Sequence, residues 1–114
     1  MSTACIFCRI ASKDVPATIV YEDDEVVAFR DLAPKAPTHV LLIPRKHVDS
    51  LDHAVPADRD LLGRLLLAAK AVAAQDGLGD GYRVVTNVGP AAGQSVLHLH
   101  FHVLGGRPMA WPPG

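Results

Sequence analysis

Seven consecutive residues, Leu97-His98-Leu99-His100-Phe101-His102-Val103, alternate apolar and imidazole side chains. In a strand, successive side chains point to opposite faces, so the run splits into two surfaces. Leu97, Leu99, Phe101 and Val103 share one face, suited to packing on a helix. His98, His100 and His102 share the other, about 6–7 Å apart from neighbour to neighbour, and must face water, a metal or a ligand. Three of the chain's six histidines within five residues are too many for a plain polar face, which would more naturally use Thr, Lys or Glu. Histidines at alternate strand positions can share one metal ion. Equally, an imidazole with one nitrogen held by a hydrogen bond presents the other as a nucleophile or base. Spacing alone leaves both open.

The rest of the chain reads as α+β. Residues 5–13, CIFCRIASK, suggest a short helix or turn. TIVYED and EVVAFRD, separated by Asp23 and Asp24, read as a hairpin. Thr38 to Ile43 forms an apolar strand bounded by Pro37 and Pro44. Pro56 is suited to open a helix. Leu62, Leu65, Ala69, Val72 and Ala73 then recur at helical spacing up to Gly77, a plausible stop, which predicts one long helix over roughly 56–75. GYRVVTNV and SVLHLHFHVLGG read as strands, GPAAGQS as a loop and RPMAWPPG as an irregular tail. Short connections favour an antiparallel sheet of about five strands.

A length of 114 residues fits a single domain, 1–114. A net charge of −1 gives no bulk attraction to nucleic acid or an anionic membrane, so any phosphate binding must be local. No apolar stretch is long enough to span a bilayer, and MSTACIFCRI lacks a secretory pattern. With only two cysteines, Cys5 and Cys8, the chain is no disulfide scaffold and fits a reducing cytoplasm. The Cys-x-x-Cys pair is half a zinc site or a redox pair.

Ahead of the histidines, NVGPAAGQS places Gly89 and Gly93 before Gln94 and Ser95. Glycine-rich backbone can bring N–H groups close to an anion. Beside three imidazoles, this suggests a phosphate-containing substrate.

QSVLHLHFHVLGG matches the His-φ-His-φ-His-φ-φ signature (φ apolar) of the histidine triad, or HIT, hydrolases and transferases. DLAPKAPTHVLLIPRKH, GYRVVTNVG, GQSV and the terminal WPPG resemble its HINT branch, the purine nucleoside phosphoramidases. The resemblance covers nearly the whole chain. It implies cleavage of P–N bonds in AMP or GMP derivatives through a nucleotidyl-histidine on the middle histidine, His100. His98 would fix the His100 tautomer through its backbone carbonyl, His102 would bond a phosphate oxygen, and Ser95 would assist the departing amine. His39, on another strand, would join the histidine relay. Asp31 and Leu32 match ribose and base contacts, Asn87 a phosphate or ribose contact, and Gly93, Gln94 and Ser95 the phosphate loop. Ile6, Phe7 and Phe29 are candidates for the base-pocket wall or for plain core.

The same resemblance implies a homodimer in which two five-stranded sheets join into one of ten strands, with the tail, including Trp111, near the partner's active site. Bacterial-type HIT proteins with an N-terminal Cys pair resemble this chain in a further way, implying a structural Zn2+ held by Cys5, Cys8, His47 and His98; the chemistry itself needs no cofactor. His53 reads as a surface residue. The alternatives are a dinucleoside polyphosphate hydrolase and a non-enzymatic nucleotide- or zinc-binding interaction protein.

Overall fold

The computed structural model describes residues 4–114. Met1 to Thr3, the start of the segment read as lacking a secretory signal, lie outside the described residues. Strands β1 (Ile19–Glu22), β2 (Val26–Arg30), β3 (Thr38–Pro44), β4 (Tyr82–Val85) and β5 (Phe101–Gly105) form one sheet in the order β1-β2-β3-β5-β4. Every neighbouring pair is antiparallel, as the short connections predict. Helices α1 (Ile6–Ala11) and α2 (Arg59–Gln75) complete the fold. Among the described residues, no helix is long and apolar enough to cross a membrane.

The hairpin between β1 and β2 turns on Asp23. Its Oδ1 accepts from the backbone N–H groups of Glu25 and Val26, both at 2.8 Å, so the acidic pair is turn chemistry. The two β periods then sort residues between two cores. Val26, Ala28, Val40, Leu42, Phe101 and Val103 pack with Leu65, Ala69 and Val72 of α2. Val27, Phe29, Leu41 and Ile43 face the other way and pack with Phe7 and Ile10 of α1. β3 is buried along its whole length because both faces are covered.

The long helix begins slightly later than predicted. Pro56–Asp58 form a single 3-10 turn before α2, tied by Asp58 Oδ2 accepting from Val55 N–H at 3.0 Å. Gly77 does stop it. Its φ is 70°, the left-handed conformation that costs glycine little. Its N–H donates to Ala74 O at 3.1 Å, and Leu78 N–H donates to Ala73 O at 3.0 Å, the paired bonds of a Schellman cap.

The two C-terminal strands are shorter than the sequence suggests. β4 ends at Val85 because Thr86 spends its hydroxyl on His100 O at 2.7 Å and the chain leaves the ladder. β5 starts only at Phe101, paired with Leu42. Upstream of it, β3 is near its end at Pro44, and Leu99 N–H donates instead to Val48 O at 2.6 Å. The two-face pattern still persists through Leu99, Phe101 and Val103, but Leu97 is 64% exposed.

Candidate active site

β5 and the segment leading into it carry the three histidines to different surroundings. His98 is fully buried and His100 nearly so. Nδ1 of His100 lies 2.7 Å from the carbonyl oxygen of His98. A carbonyl only accepts, so Nδ1 bears the proton and Nε2 keeps a free lone pair. The Phe7 ring and this imidazole pack in a T-shape with centroids 5.1 Å apart.

A second chain of bonds sets His102. Lys35 N–H donates to His39 Nδ1 at 3.0 Å, so the proton of His39 sits on Nε2. That atom is 2.9 Å from His102 Nδ1, which must therefore accept. The proton of His102 is left on Nε2, a buried atom with no hydrogen-bond partner among the described residues. Burial pushes the His102 imidazole down to about 4, and the neighbouring His100 and His39 add to that. Burial likewise lowers His39, partly opposed by Asp31, whose Oδ2 stands 3.5 Å from His39 Nε2. Both shifts favour the neutral ring. The relay thus ends in an N–H donor whose natural complement is an acceptor oxygen.

His100, His102 and Ser95 line a cavity of about 320 Å3, together with Phe7, Phe29 and Asp31. Its lining is largely apolar and adds imidazole, hydroxyl and carboxylate groups. A wider depression of about 590 Å3 beside β4, lined by Asp80, Tyr82, Arg83 and Arg107, holds none of the histidines; chemistry rather than volume singles out the first. Leu32 is fully exposed at the rim, and Asn87 is half-buried. Gly93 takes a φ of 94°, and a Cβ there would come within 4.0 Å of Asn87 Nδ2. The glycine loop is largely self-bonded. Gly93 N–H donates to Pro90 O and Gln94 N–H to Gly89 O, both at 3.0 Å. The Gln94 side chain donates to Asp49 O at 2.7 Å and Val96 O at 3.0 Å, and accepts from Gly89 N–H at 2.9 Å. Gln94 therefore acts as a clamp on the loop.

Next to the cavity, Cys5, Cys8, His47 and His98 bring four ligand atoms within 4.8 Å of one another. His47 Nδ1 lies 3.2 Å from Cys8 Sγ. His98 Nδ1 lies 3.4 Å from Cys5 Sγ and 3.5 Å from Cys8 Sγ. The far nitrogens are both engaged: His47 Nε2 with Asp49 Oδ1 at 2.7 Å, and His98 Nε2 with Pro44 O at 2.8 Å. These acceptors place each proton on Nε2 and turn the Nδ1 lone pair toward the sulfurs, the outer-shell arrangement of metal-bound histidine. Ligand separations of this size suit a tetrahedral Cys2His2 zinc site. Burial pushes the Cys8 thiol up to about 11, with Cys5 adding to the shift, so thiolates here need a cation. The donor set fits zinc.

The HIT domain family matches residues 12–109, from the end of α1 to the tail. The chain belongs to the HIT family. This HIT protein is 54% identical over 111 residues to the 14 kDa zinc-binding protein of Brassica juncea, spanning 96% of its own length and 98% of the relative's. It is 53% identical over 111 residues to adenylylsulfatase HINT1 of Arabidopsis thaliana, spanning 96% and 76% of the two chains. The solved HIT family hydrolase from Legionella pneumophila Philadelphia 1 superposes with a TM-score of 0.95 at 50% identity, covering 96% of this chain and 99% of that one.

The HIT protein also uses groups that sequence reading passed over. Asp49 orients His47, the backbone N–H of Lys35 orients His39, and Arg30 borders the cavity. Asp49 had a faint signal, two positions after His47. A backbone donor such as Lys35 N–H has none, since every residue but proline offers one. His53 bonds Ser50 Oγ at 2.9 Å and is exposed, apart from both sites.

Proposed function

We propose that this protein is a nucleotide hydrolase of the HINT branch that cleaves the P–N bond of purine nucleoside phosphoramidates through a covalent nucleotidyl-His100. The observation that carries the reading is the pairing of two imidazoles of opposite character in one cavity. His100 keeps a free Nε2 lone pair because Nδ1 is bonded to His98 O, while His102 presents an unpartnered Nε2–H.

In this mechanism Nε2 of His100 attacks the α-phosphorus. The P–N bond breaks, and the amine leaves with the electron pair and a proton delivered through Ser95. The Nε2–H of His102 bonds a non-bridging phosphate oxygen as charge grows there. Water then attacks phosphorus and gives up a proton by way of Ser95, replacing the one spent on the amine, the P–Nε2 bond breaks, and AMP or GMP is released with His100 restored. Asp31 accepts from the ribose hydroxyls, Leu32, Phe7 and Phe29 border the base, and Asn87 with the 93–95 loop steadies the phosphate. Zn2+ at Cys5, Cys8, His47 and His98 supplies structure, and no step passes through it. A second reading, hydrolysis of adenylyl sulfate by the same attack, draws on the adenylylsulfatase relative.

The working form is a single HIT domain, 1–114, in a cytoplasmic homodimer that binds neither nucleic acid nor membrane. Support comes from the unpaired outer edge of β4, where Tyr82 and Val84 are exposed, and from the exposed Leu66 and Leu67 of α2. Joining β4 to its copy would make a sheet of ten strands. Trp111, 82% exposed, would reach the partner's cavity.

Incubation with a fluorogenic adenosine phosphoramidate, followed by intact-mass analysis of quenched protein, tests the reading. Wild type should turn over and carry an AMP mass increment that His100→Ala lacks. Turnover surviving in His100→Ala would rule the mechanism out.

A further inference from the structure

We infer that the Cys5, Cys8, His47 and His98 cluster positions the nucleotide site, so that a divalent cation in the cluster and a nucleotide in the cavity bind with positive cooperativity. This rests on the nucleotide reading above.

Three connections run from the cluster to the cavity. The first is a single residue. His98 points its ring Nδ1 at both thiols, 3.4 and 3.5 Å away, while its carbonyl orients His100 Nδ1 at 2.7 Å. Any tilt of the His98 peptide that accompanies loss of the cation therefore reaches the imidazole beside the reacting phosphorus. The second is α1. Cys5 caps this helix, accepting from Cys8 N–H at 3.4 Å, and the intervening Ile6 and Phe7 line the cavity, with Ile10 one turn on. A helix of six residues has no stability of its own, so its place is set by the sulfurs at its start and the apolar cluster at its end. Phe7 touches both histidine rings, with centroids 6.0 Å from His98 and 5.1 Å from His100. The third is Asp49, which holds His47 through its carboxylate and Gln94 through its carbonyl. Gln94 in turn grips Gly89 N–H, at the start of the loop that carries Ser95.

Both cysteines and all of α1 precede the segment matched by the HIT family. The clamp is thus an addition to the shared fold, laid against the cavity wall. Cys5, Cys8, His47 and Asp49 act through other groups and are positioning residues.

Calorimetric titration with AMP, on the zinc-loaded full-length protein and on the same protein stripped by a chelator, tests the coupling. AMP should bind the stripped form about five-fold or more weakly. Linkage is reciprocal, so saturating AMP should tighten zinc against a chromophoric chelator by the same factor. Should the stripped protein unfold, a second measurement stays on the loaded form. Cobalt(II) in place of zinc reports the cluster through its thiolate absorption bands, which AMP should shift. Equal AMP affinity in two folded forms overturns the coupling, as do unmoved cobalt bands where the stripped form is unfolded. AMP binding to neither form would remove the nucleotide reading itself, and the coupling with it.

Discussion

His39 Nε2 donates to His102 Nδ1 across 2.9 Å, and the direction of that bond is fixed by the Lys35 amide on the far side of the His39 ring. Proton order thus passes from a backbone N–H through two imidazoles to the cavity. Removing the middle ring should free His102 to adopt either tautomer. His39→Ala is expected to lower kcat for a phosphoramidate by about ten-fold or more, and His102→Ala by about a hundred-fold or more, the usual loss for one donor to a developing oxyanion. Steady-state kinetics on both variants decides this; a normal kcat in His39→Ala would mean the relay does nothing.

Acid should weaken the fold through the same rings. Burial holds His102 down to about 4 from an ordinary 6.5, so between those values the unfolded chain takes up a proton that the folded chain refuses. Unfolding free energy therefore falls as pH drops from about 6.5 toward about 4, and His39 acts in the same direction. Urea midpoints at pH 7.5, 6 and 5 should decline, and His102→Asn should show a shallower decline than wild type.

Asp76 ties the end of α2 to the sheet. Arg30 donates to both of its oxygens, at 2.7 and 3.0 Å, and Thr38 Oγ1 donates at 2.9 Å. The Arg30 bonds hold the Asp76 carboxyl below the usual carboxylate range, so its stabilisation is present above an ordinary Asp pKa and fades as pH falls through the lowered one. Arg30 is 40% exposed, which screens the pair. Asp76→Ala should cost about 1–2 kcal/mol at pH 7. Chemical denaturation of the variant at pH 7 gives the number, and no loss there would show the contact to be idle.

Two adjacent glycines should respond differently to alanine. A Cβ at Gly105 would meet Leu78 Cδ1 at 2.6 Å, the far end of a flexible side chain. At Gly106, φ is 90° and a Cβ would sit 2.8 Å from Pro37 Cβ, part of a stiff ring. Gly105→Ala should cost about 1 kcal/mol and Gly106→Ala about 2–3. Thermal melts rank them, and the reverse order would contradict the packing described.

The proposed dimer offers a further check. Val84→Asp together with Leu67→Asp places charge on the exposed apolar positions of β4 and α2 without touching either core. Sedimentation should show wild type as a dimer and the double variant as a monomer. A wild-type monomer at micromolar concentration would dismiss the ten-stranded sheet.

Much of this molecule is visible in local pattern. Alternation at 97–103 separates Leu99, Phe101 and Val103 from the histidines, and the 3.6-residue spacing of Leu65, Ala69 and Val72 predicts the buried stripe of α2, with Gly77 as its stop. Those periods follow from the covalent geometry of the chain, so neighbouring residues suffice to reveal them. The four cluster residues and the cavity histidines are also legible as candidates, but through the resemblance to HIT proteins, since spacing alone leaves a metal site and a nucleophile both open.

Which nitrogen of each ring carries a proton, where β5 begins, and how Asp49 and Gln94 link two sites were decided only by tertiary structure. Cys5 and His98 meet across 93 positions of chain, and His39 and His102 across 63. A hydrogen bond depends on the distance and direction of its partner to a few tenths of an ångström. No sequence pattern carries that information across such separations, and only the packed sheet brings those atoms together.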